Sequence, residues 1–277
     1  MTDLTYWQAL LLGAVQGLTE FLPISSSAHL ALSQRLMALE ADSAAMLLFD
    51  AFVHIGTVLS IGIVFFHPEL EFLRRLRREL EPSWNRARYG WRIIGFTAAA
   101  SVPTGVIGLL FKKKFEGAFD NPRSMGLHLC VTGGLLFALM FVPRGRRGWK
   151  QIHWWEAGLV GVVQGLAIFP GISRSGSTIC TASYCGWRRK WAAHFSFLIA
   201  MPAILGGTVI KLKDTLELPA AELQAIPWGA IVVGALVSTV VGVLALKLLL
   251  SAVRRAKLHY FAPYCVAVGL WAMLFRT

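Results

Sequence analysis

The chain has 277 residues, of which 56% are apolar and only 15% are charged, with a formal net charge of +12. A water-soluble domain carries about a quarter charged residues, so this composition excludes an ordinary soluble enzyme and points to a polytopic membrane protein. The basic residues lie in short segments between apolar stretches, where they read as topology signals and exclude a nucleic-acid partner.

The N-terminal segment carries Asp3 and no basic cluster, so a cleavable signal peptide is not expected. Residues 4–38 read as an apolar helix broken midway by Pro and Ser. A first full span is predicted over Ala44–Phe66, long enough to cross a bilayer core of roughly 30 Å. A connection bearing Arg74, Arg75, Arg77, Arg78, Arg86 and Arg88 follows, then spans over Trp91–Phe111 and Ser124–Val142. Arg144, Arg146, Arg147 and Lys150 mark the next connection, and residues 153–188 form a second broken stretch. Spans over Trp191–Lys211, Pro227–Leu250 and Phe261–Phe275 complete the chain. The loop between the first two of these is acidic, with Asp214, Glu217 and Glu222; the loop after the second carries Arg254, Arg255 and Lys257. Placing the basic loops in the cytoplasm gives one alternating topology. One loop dissents, since Lys112, Lys113 and Lys114 then fall outside. Cys130, Cys180, Cys185 and Cys265 lack metal-ligand spacing and read as free thiols.

The two broken stretches align at an offset of 148 residues. Gln16-Gly-Leu-Thr-Glu-Phe-Leu-Pro-Ile-Ser-Ser-Ser-Ala-His29 matches Gln164-Gly-Leu-Ala-Ile-Phe-Pro-Gly-Ile-Ser-Arg-Ser-Gly-Ser177 at seven of fourteen positions. If each stretch dips in and returns to its own side, the three intervening spans invert the second copy. The expected fold is therefore an all-α membrane protein with six transmembrane helices and two broken re-entrant helix pairs, arranged as an inverted-topology repeat. Residues 1–142 form the first repeat, 143–152 a basic cytoplasmic connector and 153–277 the second repeat, within one integrated membrane domain.

Irregular backbone at membrane depth survives only where it is buried in protein or lines a wet cavity, so a cavity is expected where the breaks converge. The first break offers Glu20, Ser25, Ser26, Ser27 and His29; the second offers Ser173, Arg174, Ser175, Ser177 and Thr178, with Gly171 and Gly176. An ionised group at this depth costs at least ~2.5–3.5 kcal/mol and needs a partner. The helix start after each break favours an anion, and a guanidinium suits phosphate oxygens. Across the repeat Glu20 is matched by Ile168, Ser26 by Arg174 and His29 by Ser177. The first copy thus carries the acid–base and nucleophile candidates and the second carries the cation. Ser25, Ser27, Ser173 and Ser177 are either helix caps or ligand contacts, and Glu20 with Arg174 could also be a structural ion pair. His128 reads as a packing residue; Asp50 and His54 share a helical face and support the cavity without a catalytic role.

At these residues the sequence resembles the bacterial undecaprenyl-diphosphate phosphatases, also called bacitracin-resistance proteins. Gln16-Gly-Leu-Thr-Glu20 fits that family's [Glu/Gln]-x-x-x-Glu motif, and Pro170-Gly-Ile-Ser-Arg-Ser-Gly-Ser-Thr178 fits its Pro-Gly-x-Ser-Arg-Ser-x-x-Thr motif. Gln16 stands where many members have Glu, and Ala28 where Gly is common. The motifs of the soluble-type and lipid acid phosphatases are absent. The resemblance implies removal of the terminal phosphate of undecaprenyl diphosphate, which recycles the lipid carrier for cell-wall synthesis and confers bacitracin resistance. It also implies a multi-pass protein of the bacterial inner membrane, a site open to the periplasmic side and a divalent cation, Mg or Ca. The expected partners are the lipid substrate and membrane lipids; a homodimer is compatible with the sequence. Under this reading Glu20, Ser26, His29 and Arg174 are catalytic. Gln16, Ser25, Ser27, Gly171, Ser173, Ser175, Gly176 and Thr178 contact substrate, and Glu20 is also the candidate metal ligand. Ser26 is the nucleophile or orients an attacking water, Glu20 activates it or holds the cation, and His29 donates or passes a proton. The competing function is a lipid-phosphate flippase built on the same repeat.

Overall fold

Apolar stretches run as helix, even through Pro103 and Pro202, and the chain leaves helix at the Pro- and Ser-containing breaks after Phe21 and Leu166. The computed structural model describes residues 4–66, 83–217 and 226–274. Its helices are α1 (Tyr6–Phe21), α2 (Ser26–Leu36), α3 (Ala44–Phe66), α4 (Ser83–Leu110), α5 (Lys112–Phe119) and α6 (Pro122–Ala138). After them come α7 (Trp154–Leu166), α8 (Arg174–Tyr184), α9 (Arg189–Leu216), α10 (Trp228–Arg254) and α11 (Ala262–Leu274). No strand occurs among the described residues. All four cysteines are free.

Among the described residues five helical stretches are long and apolar enough to cross a membrane: Ala44–Phe65, Trp91–Leu110, Pro122–Phe141, Arg189–Thr215 and Trp228–Arg254. The last predicted span, Phe261–Phe275, is described as far as Leu274, with α11 continuing from a 3-10 turn over Leu258–Phe261. Several boundaries differ from expectation. Arg86 and Arg88 lie within α4, Asp214 within α9 and Arg254 within α10, all read as loop from the sequence. Charged residues interrupt hydropathy but not helix, because long straight side chains are good helix formers whose heads extend to the interface. Lys112–Lys114 open α5 rather than a loop. Arg74–Arg78, Glu222 and Phe275 lie outside the described residues.

The halves exchange partners. Helix α1 packs on α10 and α7 on α4; α10 also packs on α3 and α9 on α4, while α6 pairs with α11. On α10, Gly234, Ser238, Gly242 and Leu246 are buried, whereas Leu236, Val240, Leu244 and Leu248 are exposed four residues apart. An apolar outward stripe of this kind suits contact with lipid.

Each broken pair has its two ends close together. Leu4, before α1, shares a core cluster with Leu39, after α2. At the second pair, Arg147 of the connector is ion-paired with Glu156 in the first turn of α7 and donates to the Cys185 carbonyl just beyond α8, at 3.0 Å. Trp187 Nε1 donates to Glu156 as well, at 3.2 Å. Both pairs therefore turn back toward their own entry. Lys211, near the end of α9, is bonded to Asp50, near the start of α3, at 2.7 Å.

Candidate active site

The first break forms because residues before Pro favour extended backbone. Leu22, ahead of Pro23, has φ −63° and ψ 144° and ends α1. Ser25 then takes φ 70°, a conformation L-residues seldom adopt. Four contacts hold Ser25 there, one being His29 N donating to its carbonyl at 3.3 Å. The Ser25 Oγ accepts from Gly171 N at 3.0 Å and lies 3.2 Å from Ser27 Oγ, and the carbonyl is 2.8 Å from His29 Nδ1. In the second break Gly171 has φ 99°, and a Cβ there would stand 2.3 Å from the Met125 carbonyl oxygen. Glycine is needed at that position on both counts. The two breaks touch each other, with Gly171 N on Ser25 and Ser175 Oγ donating to the Leu22 carbonyl at 3.3 Å.

Glu20 is the hub. Its side chain is 1% exposed and paired with the Arg174 guanidinium at Oε1. Its other oxygen, Oε2, accepts from Ser26 Oγ at 2.5 Å and from Gln16 Nε2 at 2.9 Å. Gln16 is one turn before Glu20 on α1, Ser26 opens α2 and Arg174 opens α8, so three helices converge on one carboxylate. A small pocket opens on Glu20, Arg174 and Ser175, walled by Ile61, Phe197 and Ile204. Ser26 Oγ, with a carboxylate acceptor and a cation alongside, is equipped to attack an anionic phosphorus centre.

The structure distributes the remaining candidates differently from the sequence reading. Ser173 caps α8 by accepting from Gly176 N at 3.1 Å, and Ser173 N donates to Thr132 Oγ1 at 2.9 Å. Together with Gly171 N on Ser25, these bonds occupy the second-break amides of Gly171, Ser173 and Gly176, which were expected to face an anion. Thr178 Oγ1 donates to the Arg174 carbonyl at 2.8 Å and lies 2.6 Å from Ser196 Oγ, tying α8 to α9. By contrast, no side chain caps α2, whose N-cap Ser25 makes no such bond. Among the described residues, first-turn amides with no partner are therefore found at Ser26 and Ser27 on α2, together with Arg174 and Ser175 on α8. His29 turns away from Ser26, and its Nε2 lies 2.9 Å from the Tyr264 hydroxyl on α11. His128 is a packing residue, its Nδ1 2.9 Å from the Pro170 carbonyl. His54 Nδ1 bonds to the Asp50 carbonyl at 2.6 Å, which leaves that pair a structural role beside Lys211. Sequence reasoning missed Tyr264, Thr132 and Ser196, which reach the breaks from distant spans and carry no local motif.

A family model described as "Bacitracin resistance protein BacA" matches residues 9–271. The chain belongs to this family. Relatives named undecaprenyl-diphosphatase match it over nearly its whole length. An undecaprenyl-diphosphatase of Alkaliphilus metalliredigens (strain QYMF) is 40% identical over 277 residues, covering 98% of this chain and 99% of the relative. One of Salinibacter ruber (strain DSM 13855 / M31) is 40% identical, covering 98% and 100%. One of Syntrophotalea carbinolica (strain DSM 2380 / NBRC 103641 / GraBd1) is 41% identical, covering 96% and 97%. With five apolar helices of spanning length, this member of the family is an integral membrane protein.

Proposed function

We propose that the protein hydrolyses the terminal phosphate of undecaprenyl diphosphate, giving undecaprenyl phosphate and inorganic phosphate at the Glu20–Ser26–Arg174 site. The observation that carries this reading is one carboxylate bonded to Ser26 Oγ on one oxygen and to Arg174 on the other. Arg174 and the α2 amides hold the terminal phosphate. Ser26 Oγ attacks its phosphorus, the bond to the bridging oxygen breaks, and the lipid monophosphate departs. Glu20 takes the Ser26 proton. Water then attacks the phosphoserine, the Oγ–phosphorus bond breaks, and Glu20 returns its proton to Oγ while both water hydrogens leave on the phosphate. The transition states are loose and anionic, so positioning and charge supply most of the rate. His29 is bonded at both ring nitrogens in this arrangement, and as a proton donor it would first turn from Tyr264. Substrate labelled in its terminal phosphate and acid-quenched within the first turnover should leave label on the peptide containing Ser26. Label found only in free phosphate at every time point would assign the attack to water.

The donor set fits a divalent cation shared with the substrate. Gln16 Oε1 is buried without a hydrogen-bond partner, and a hard cation takes oxygen ligands from one or two side chains plus substrate phosphates. Glu20 and Gln16 would hold it, and its charge would offset that of the diphosphate. Among the described residues no group of three or more His, Cys, Asp or Glu gathers, at this site or elsewhere.

The inverted-repeat topology belongs to the same proposal. Its support is the exchange of partners between halves and the equivalence of Gly13 and Gly161, 148 residues apart. A Cβ on either would lie 2.4 Å and 2.2 Å from the carbonyl oxygens of Gly234 and Ala100. Also, α9 begins beside the second pair and ends at Asp50 beside the first. Between Lys190 and Lys211 it rises roughly 30 Å, so the pairs enter from opposite faces. The dissenting Lys112 fits, since it is bonded to Asp214 at 3.1 Å, on the face assigned to the exterior. The site would open to the periplasmic side of the inner membrane. Single cysteines at 214 and 146, in a chain without its native cysteines, should label with an impermeant reagent from the outside only at 214. Labelling of both from outside would overturn the arrangement. A flippase needs a site balanced between both faces; here the carboxylate and hydroxyl belong to one half alone.

A further inference from the structure

We infer that Tyr264 is a positioning residue for this reaction, acting through His29 on the peptide that carries the Ser26 amide. The inference rests on the function proposed above. Helix α11 is fastened to the first break at two adjacent residues. Cys265 Sγ contacts the Pro23 carbonyl at 3.5 Å, and the Tyr264 hydroxyl meets His29 Nε2 at 2.9 Å. The two rings are also stacked, with centroids 5.7 Å apart and planes inclined by 10°.

The hydrogen-bond chemistry fixes the direction of the chain. His29 Nδ1 lies 2.8 Å from the Ser25 carbonyl, which can only accept, so Nδ1 carries the proton. In the neutral ring Nε2 then has a lone pair, and the Tyr264 hydroxyl donates to it. Tyr264 thereby selects the tautomer that can grip the Ser25 carbonyl. That carbonyl belongs to the peptide joining Ser25 to Ser26. The peptide is planar and trans, so holding its oxygen on the His29 side aims the Ser26 N–H to the opposite side. Ser25 sits at φ 70° and does not keep this orientation by its own preference. A phenylalanine would preserve the stack but leave Nε2 without a donor, releasing the tautomer and leaving the Ser25 carbonyl held only by the longer bond from the His29 backbone N–H, at 3.3 Å.

The test uses the full-length protein purified in detergent. Tyr264→Phe is expected to lower kcat for undecaprenyl diphosphate about tenfold, the effect of one hydrogen bond transmitted to the transition state. KM and melting temperature should stay at wild-type values. Ring-15N histidine labelling provides a second readout, with the His29 signals assigned by their absence from His29→Asn. Wild type should show the proton on Nδ1, and Tyr264→Phe should show a mixture with the Nε2–H form. Unchanged kcat in Tyr264→Phe, a loss of kcat matched by a fall in melting temperature, or unaltered His29 signals would each overturn the inference. An inactive wild-type protein would instead overturn the proposed function, while the nitrogen signals would still report on Tyr264.

Discussion

Arg174→Lys is expected to lower kcat/KM on the order of a hundredfold while leaving the protein folded. A lysine keeps the charge beside Glu20 but loses the planar fork that binds two phosphate oxygens together. Most of the loss should fall on kcat, because charge on those oxygens grows as the transition state forms. Arg174→Ala should lose more activity and stability together. Glu20 is 1% exposed, and removing its partner leaves a buried carboxylate unpaired, a cost of about 3–5 kcal/mol. Phosphate-release kinetics and thermal melting of both variants in one detergent check this. A fully active lysine variant would reduce the Glu20–Arg174 pair to a structural one.

Glu20→Gln has the other large expected effect, a fall in kcat of about 10²–10⁴-fold, the range of a general base. The replacement is close to isosteric. Its amide oxygen can still accept from Arg174, and its amide nitrogen can face Ser26 Oγ and the Gln16 Oε1 once the Gln16 amide turns over, so the convergence of α1, α2 and α8 survives. What disappears is the ability to take the Ser26 proton. Substrate binding, followed with a fluorescent lipid diphosphate, should change little. Retention of near wild-type turnover would remove Glu20 from the chemistry.

Much of this was legible in the sequence because Pro, Gly and Ser punctuate apolar helices visibly. Leu22-Pro23 and Pro170-Gly171 marked the breaks, and the offset between them brought Glu20, Ser26 and Arg174 into one argument. The breaks indeed meet, and these three side chains with Gln16 form one hydrogen-bonded cluster. What sequence could not resolve was where each hydroxyl and amide goes. A serine at a helix start caps or binds according to its rotamer and to the facing helix, so Ser173 and Thr178 looked like ligand contacts. In the fold their partners are Gly176 and, from α9, Ser196. His29 appeared close to Ser26 by chain position, yet its ring meets Tyr264, 235 residues away. No local pattern encodes that contact. Helix ends were misjudged because hydropathy stops at Asp214 and Arg254 whereas helical hydrogen bonding continues through both.

The most direct measurement is the release of inorganic phosphate from undecaprenyl diphosphate by the purified protein in detergent micelles, where transport has no meaning. Sustained turnover is expected, with one undecaprenyl phosphate formed per phosphate, lost in Ser26→Ala although that variant melts like wild type. Turnover by Ser26→Ala at the wild-type rate, or no release by folded wild-type protein supplied with divalent cation, would contradict that expectation.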